Sequence, residues 1–181
     1  MPFNIRRLPI PTQVRAHELV RLHCSDILSS AGMEVERRCI QHGTTSVFAH
    51  SMAVTMACVA LAQALRVAVD ERALVRGALL HDYFLYDWHE SDPSHRLHGF
   101  THPGRACANA IRDFGIGPVE QHMVRHHMFP LTPIPPRCRE AVILCLADKY
   151  VATKETMAGL LHKRMPGARK PLAQGGSDDL A

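Results

Sequence analysis

Residues 141–150 read AVILCLADKY, a stretch whose apolar residues recur at the spacing of an α-helix. Ala141, Leu144 and Cys145 fall on one face, and the same spacing places Asp148 on that face. A buried carboxylate without a partner is costly, so it is normally paired, neutralised or bound to a metal. This stretch therefore predicts a helix that packs in the core and carries a polar ligand into it.

The same helical period recurs along most of the chain, and the alternating Val, Ile and Thr runs typical of strands are missing. We therefore predict an all-α fold, a compact helical bundle. Gly32 is expected to cap the first helix, Asp70 the fourth, and Thr101 and Gly115 the two ends of the fifth. Residues 83–100 show no period and are interpreted as an ordered loop over a site. The predicted helices cover residues 14–31, 33–41, 46–66, 71–82, 101–115, 118–130 and 137–161.

Length and composition indicate one domain. The chain has 181 residues, of which 46% are hydrophobic, and this is enough to bury a sizeable core. We assign residues 13–163 to a single domain, with residues 42–155 as its core motif region. Residues 1–12 are interpreted as an N-terminal extension, and residues 164–181, with their prolines, glycines and two aspartates, as a disordered tail.

Charge and cysteine usage narrow the class of protein. The formal net charge of +4 favours anionic small molecules but lacks the dense basic stripe of a nucleic-acid-binding protein. The six cysteines form no CxxC pair, and several lie in apolar runs, so we expect buried thiols in a reducing compartment. We recognise no signal peptide and no run of about 18 apolar residues, so we predict a cytoplasmic protein that is not bound to a membrane.

Thirteen histidines are a large number for this chain, and several occupy apolar helix faces. Taken singly, such a histidine is more often a hydrogen-bonded core residue than a ligand. Taken together, imidazoles and carboxylates that point inward from four helices indicate a site for divalent metal ions. Besides Asp148, the inward-pointing set consists of His50, His81, Asp82, His126 and His127, with His102 as a further candidate.

The order of these residues resembles the signature of the HD superfamily, and the resemblance covers about residues 42–155. It is similar to the two-metal branch, which includes HD-GYP domains. The resemblance implies an all-helical fold with one or two divalent ions at its centre, among which Fe, Mn, Zn, Ni and Mg are not distinguished. It further implies a first metal held by His50, His81, Asp82 and Asp148, and a second that Asp82 shares with His102, His126 and His127.

Two departures from the family pattern bear on the substrate. Many members carry a lysine three residues after the HD pair, but here the sequence reads HDYFLYDW. In those members the lysine is expected to bind phosphate. Here that role is unfilled or is taken over by Lys149 or Arg105. The doublet is followed by residues 128–131, MFPL, instead of a glycine-tyrosine-proline segment, which argues against hydrolysis of cyclic-di-GMP.

The resemblance implies a metal-dependent phosphohydrolase that cleaves a phosphomonoester or phosphodiester of a small molecule, with a nucleotide as one candidate substrate. The predicted catalytic residues are Asp82, Lys149 and Arg105, and a metal-activated water is the nucleophile. Two alternatives stay open. One is a di-iron oxygenase on the same fold, and the other is a non-catalytic module that binds a nucleotide or a partner protein.

The loop after the HD pair supplies aromatic and histidine side chains. Tyr83, Tyr86 and Trp88 are candidates for stacking on a base, and packing in the core is at least as good an explanation for them. Four histidines are expected near the mouth of the site without an assigned role: His42, His89, His95 and His98.

Overall fold

A computed structural model of the chain describes residues 10–90, 93 and 97–164, and the predicted tail beyond residue 164 lies outside them. In the described part, the regular secondary structure is helical apart from one small antiparallel hairpin, so the prediction of an all-α fold is confirmed. The helices are α1 (Ile10–His23), α2 (Ser25–Leu28), α3 (Ala31–Arg38), α4 (Val47–Ala64), α5 (Glu71–Leu79), α6 (His98–Phe114), α7 (Pro118–His126) and α8 (Arg139–Arg164). The strands are β1 (Ile40–His42) and β2 (Thr45–Ser46).

Hydroxyl and carboxylate side chains begin three of the helices. The Oγ of Ser46 accepts from the amide of Ala49, and Oδ1 of Asp70 accepts from the amide of Ala73. Each bond satisfies one of the backbone donors that the first turn of a helix leaves free. The predicted cap at Asp70 is therefore confirmed, and Gly115 ends α6 in the left-handed conformation (φ 57°) as expected.

The first predicted helix, residues 14–31, is wrong in its extent, because the chain is interrupted at Cys24 and the helix ends at Leu28. Ser29 donates its hydroxyl to the carbonyl of Ser25, and the Oγ of Ser30 accepts from the amide of Met33 to start α3. Such local side-chain bonds compete with a continuous helix. Gly32 is not a cap. It lies inside α3, where a Cβ atom would collide with the hydroxyl of Tyr83.

A hairpin replaces the end of the second predicted helix. Ile40 pairs with Ser46 and His42 with Thr45, and Gly43 turns the chain at φ 61°. The amide of Val47 bonds the carbonyl of Cys39 at 2.9 Å, which ties the hairpin to the start of α4. The hairpin therefore lies against α4, and β1 also contacts α8.

The last part of the predicted loop is also helical. Helix α6 begins at His98 after Leu97, which adopts a left-handed conformation (φ 60°), so Thr101 is in the first turn and not at the cap. The ring of His98 stacks on that of His102 one turn later, with centroids 4.6 Å apart. Helix α5 ends at Leu79, and His81 and Asp82 follow in a turn. Helix α7 ends at His126, not at residue 130.

Helix α4 lies in the middle of the fold and packs against α1, α3, α5 and α8. Among the described residues it is the one helix long and apolar enough to cross a membrane by length and composition, but 61% of it is buried inside the domain. Two apolar clusters flank it. One joins α1, α5 and α6, and the other joins α4, α5, α7 and α8. All six cysteines are free, and five are buried.

Candidate metal centre

Five elements deliver six polar side chains to one point between the two apolar clusters. Each side chain belongs to a buried residue, with relative exposures from 0% to 7%. The residues are His50 on α4, His81 and Asp82 after α5, His102 on α6, His127 at the end of α7, and Asp148 on α8. The prediction that separate helices converge on one core site agrees with this arrangement.

Asp82 lies between two groups of side chains. Its Oδ2 atom is 3.4 Å from Nε2 of His81 and 3.8 Å from Nε2 of His50. Its Oδ1 atom is 3.2 Å from Nε2 of His102 and 3.6 Å from Nε2 of His127. One carboxylate therefore faces both groups, as a bridging ligand would.

We call His50, His81 and Asp148 the inner group, and His102 and His127 the outer group. In the inner group, Oδ1 of Asp148 lies 3.2 Å from Nε2 of His50 and 3.6 Å from Nε2 of His81. In the outer group, the two Nε2 atoms lie 3.0 Å apart. With Asp82, the inner histidines and the outer histidines each make a cluster of ligand atoms within 4.8 Å of one another.

All four histidines face the centre with the same nitrogen. Each Nδ1 atom lies against an oxygen outside the centre, so the proton on Nδ1 is donated there and Nε2 points inward. This support by an oxygen behind the ring is usual for metal-binding histidines. The pairs are His50 with Glu155 Oε2 (2.9 Å), His81 with the Ala78 carbonyl (2.8 Å), His102 with the His98 carbonyl (2.9 Å) and His127 with the Val124 carbonyl (2.8 Å).

Two atoms at the centre lack hydrogen-bond partners among the described residues. They are Nε2 of His81 and Oδ1 of Asp82, and both are fully buried. A buried polar atom without a partner is costly, and native proteins satisfy nearly all such atoms. Imidazole and carboxylate together are the donor set that divalent transition metals accept. The residues at this centre therefore fit metal binding.

The inner and outer groups differ in their preference for protons. Burial opposes a charge on His50, but hydrogen bonds to Asp148 and Glu155 raise its pKa to about 10. Burial and the neighbouring rings of His81 and His102 lower the pKa of His127 to about 3. Although burial also opposes the charge of Asp82, the histidines around it hold its pKa well below the usual range.

Two supporting residues were not predicted. Gln41 on β1 donates from Nε2 to Oδ2 of Asp82 at 2.6 Å. Glu155 bonds His50 from α8. Glu155 stands seven residues after Asp148, which is two helical turns along the same face, so this spacing could have identified it. No comparable signal marks Gln41, because it lies in a strand of three residues.

The structure does not bring His126 to the centre. Its Nδ1 atom bonds the carbonyl of His122 at 2.8 Å, and the rings of the two residues lie 4.2 Å apart. Consecutive residues at a helix end point about 100° apart, so His126 and His127 cannot both face the same point. His126 instead lines a separate pocket with Arg137 and Cys138.

A cavity of about 700 Å³ opens beside the centre. Asp82, His102, His127 and Asp148 line its floor together with Gln41. Its apolar wall comprises Trp88, Met128, Pro130, Leu131 and Ala152, and Lys149 also lines the cavity. A small molecule that enters this cavity would therefore meet the outer group and the bridging carboxylate.

The two cations predicted to bind phosphate lie in different places. Lys149 donates from Nζ to the carbonyl of His127 at 2.8 Å, so its charge lies beside the outer group. Arg105 places its guanidinium over the ring of Tyr86, 5.0 Å from the centroid, and is not among the described residues that line the cavity.

The aromatic side chains after the HD pair lie in different surroundings. Tyr83 is buried in the core, where its ring contacts Phe114 and its hydroxyl donates to Asp113. Tyr86 lies against His98 through a 2.8 Å contact between its hydroxyl and Nδ1. Trp88 reaches the cavity, with its ring stacked on that of His98.

Of the four histidines predicted near the mouth, His98 lines the cavity, whereas His89 is half-exposed and contacts Asp87. His42 ends strand β1, and His95 lies outside the described residues.

Comparison with known proteins identifies one family. The family model described as HD domain matches residues 47–153, which include every residue of the inner and outer groups and Asp82. No curated protein and no solved structure matches the chain.

Proposed function

The chain belongs to the HD domain family, and from that premise we propose that it is a metal-dependent phosphohydrolase that cleaves a phosphate ester of a small molecule. The observation that carries the proposal is the position of Asp82. Its two carboxylate oxygens face two separate histidine pairs, and one of those oxygens has no hydrogen-bond partner among the described residues.

One ion would be held by His50, His81, Asp82 and Asp148, and a second by Asp82, His102 and His127. When bound, two such ions would lower the pKa of a water so that it is deprotonated near neutral pH, and they would supply positive charge that stabilises the phosphoryl oxygens. Glu155 and three backbone carbonyls accept hydrogen bonds from the Nδ1 atoms of the four histidines, and these bonds fix the orientation of the imidazole rings.

The cavity residues position the substrate. Lys149 places a positive charge beside His127, where it attracts an anionic group that approaches the outer group. The apolar wall around Trp88 and Leu131 contacts the organic part of the ester and excludes water from it. A phosphorylated small molecule with an apolar or aromatic portion, such as a nucleotide, suits these surroundings.

We also infer that the protein works in the cytoplasm. Five of its six free thiols are buried, which suits a reducing compartment, and the apolar helix α4 is mostly enclosed by the domain.

The test is metal content together with ester hydrolysis. We would purify untagged protein without chelator, measure metals per chain, and assay p-nitrophenyl phosphate and bis(p-nitrophenyl) phosphate. Wild type should hold two metals and release p-nitrophenol, and Asp82→Ala should lose both metals and all activity. His89→Ala is the control, because that half-exposed side chain lies outside both groups. Full activity of Asp82→Ala, or oxygen uptake by an iron-loaded chain without ester hydrolysis, would contradict the proposal.

A further inference from the structure

The cavity beside the metal centre has a polar floor and a wall that consists mostly of carbon atoms. The floor comprises the metal-centre residues with Gln41 and Lys149. Among the other described residues that line the cavity, only Trp88, His98 and Thr153 carry polar side-chain atoms. The organic part of a substrate extends away from the floor, so the wall determines which organic group the site accepts.

The three polar side chains of the wall make their contacts within the protein. Nε1 of Trp88 is buried, so a ligand in the cavity can contact only the carbon atoms of that ring. The hydroxyl of Thr153 donates to the carbonyl of Lys149 at 2.7 Å. Nδ1 of His98 lies 2.8 Å from the hydroxyl of Tyr86, and its ring stacks on that of Trp88. The wall therefore offers a ligand few hydrogen-bond partners.

Leu131 extends the apolar wall to the mouth of the cavity. It lines the cavity and is nevertheless 46% exposed, so its side chain meets both a bound ligand and solvent. It also lies close to Gly99 at the start of α6, where an added Cβ atom would be 3.2 Å from Cδ2 of Leu131. An apolar group bound along this wall would remove Leu131 from water, and this burial would favour binding.

A nucleotide suits this wall only in part. Its base can stack on Trp88, but the hydroxyls of its ribose would lose their water without gaining protein partners, which is unfavourable. An alkyl or aryl group has no such requirement, and each methylene that leaves water strengthens binding. A phosphate ester with an apolar organic group therefore matches both the floor and the wall.

We infer that the substrate is the phosphate ester of an apolar alcohol, whose alkyl or aryl group lies along the wall toward Leu131. Leu131 is then a specificity residue for the apolar group. This inference rests on the proposed function, because it requires that the phosphate binds at the metal centre. It narrows the substrate class from small phosphate esters in general to amphiphilic ones.

The test is binding of alkylphosphonic acids, which resemble the ester but are not hydrolysed, to the metal-loaded protein. Trp88 is the single tryptophan of the chain and lines the cavity, so its fluorescence reports binding. Because a fully buried methylene contributes a factor of about four, butylphosphonate should bind about 30-fold more tightly than methylphosphonate at this partly open wall. It should also bind more tightly than adenosine 5′-monophosphate. Leu131→Ser should reduce the ratio of the two phosphonate affinities about fivefold.

The matched control is Leu22→Ser, the same substitution at an exposed leucine of α1, which should keep the wild-type ratio. Metal content is measured for every variant, so that ratios are compared only between proteins with equal metal loading. Hydrolysis of butyl and methyl phosphate is measured as well. These two esters have similar leaving groups, so the ratio of their kcat/KM values should follow the ratio of the phosphonate affinities.

Three results would overturn this inference: equal affinities for the two phosphonates, tighter binding of adenosine 5′-monophosphate than of butylphosphonate, or an unchanged ratio in Leu131→Ser. Hydrolysis of p-nitrophenyl phosphate by the same protein would then leave the proposed function standing. A metal-loaded wild type that neither binds the phosphonates nor hydrolyses p-nitrophenyl phosphate would overturn both.

Discussion

The inner and outer groups share Asp82 but differ in charge and in access. The inner group adds a second carboxylate, Asp148, and has Glu155 behind one of its rings. The outer group has two histidines whose supports are backbone carbonyls. His102 and His127 line the cavity, whereas His50 and His81 are not among the described residues that line it. We therefore expect the inner group to hold its metal tightly and the outer group to hold an exchangeable metal that meets the substrate.

The largest expected effect is on the number of metal ions bound per chain, which should differ between variants of the inner and outer groups. His127→Ala should lower the metal content from two per chain to one, because the inner group keeps Asp148 as an additional anionic ligand. His50→Ala should remove the inner metal and weaken the outer one through the shared Asp82. Hydrolytic activity should be lost in both variants. Elemental analysis after gel filtration measures the difference.

The matched control for this prediction is His126→Ala. It removes the neighbouring imidazole, which bonds His122 and lines a different pocket, so two metals and wild-type activity should remain. Loss of one metal from His126→Ala and not from His127→Ala would reverse the assignment of the outer group.

Helical spacing predicted most of the residues at this centre, and it failed where two adjacent histidines both matched the spacing of the apolar face. His50, His81 and Asp148 each continue an apolar face at three- or four-residue spacing, so their burial could be foreseen. His126 and His127 both follow Met123 at such spacing, but consecutive residues point about 100° apart, and the spacing alone does not show which of the two faces the centre. Gln41 could not be foreseen, because a strand of three residues carries no readable period.

The helices could be predicted from the sequence, but the breaks between them could not. Caps such as Asp70 have a side-chain mechanism that a sequence displays. The break between α2 and α3 involves local serine bonds, and the early start of α6 depends on a left-handed Leu97, which is rare outside glycine and asparagine. The position of Gly32 depends on the distant Tyr83, which only the packed structure reveals.

A smaller effect should come from the support behind the inner group. Glu155→Gln keeps an oxygen near Nδ1 of His50 but removes the negative charge that strengthens the bond. We expect the affinity for the inner metal to fall about tenfold, within the usual range for residues that orient metal ligands. Competition with a chelator measures this affinity.

The control is Glu18→Gln, the same loss of charge at an exposed position of α1. Its metal affinity should equal that of wild type. An equal decrease in Glu18→Gln and Glu155→Gln would mean that net charge, and not the contact with His50, governs the inner group.

The smallest effect concerns an ion pair remote from both groups. The hydrogen bond from the buried Arg76 lowers the pKa of Asp26, so this contact stabilises the fold above the unfolded pKa of about 3.9 and is lost as the pH falls through the lowered value. Because Asp26 is half-exposed, Asp26→Asn should lower the free energy of unfolding at neutral pH by only about 1 kcal/mol.

Chemical denaturation across a pH series measures this difference, and wild type and Asp26→Asn should converge at low pH. Both metals should remain in Asp26→Asn at neutral pH. A changed metal content would contradict the claim that the inner and outer groups with Asp82 hold the ions alone.

The bridging position of Asp82 is tested most directly by anomalous diffraction from crystals of the Mn²⁺-loaded protein. We predict two metal peaks about 3.5–4 Å apart, one bound by the inner group and one by the outer group, each bound to a different oxygen of Asp82. A single peak, or two peaks that do not share Asp82, would contradict it.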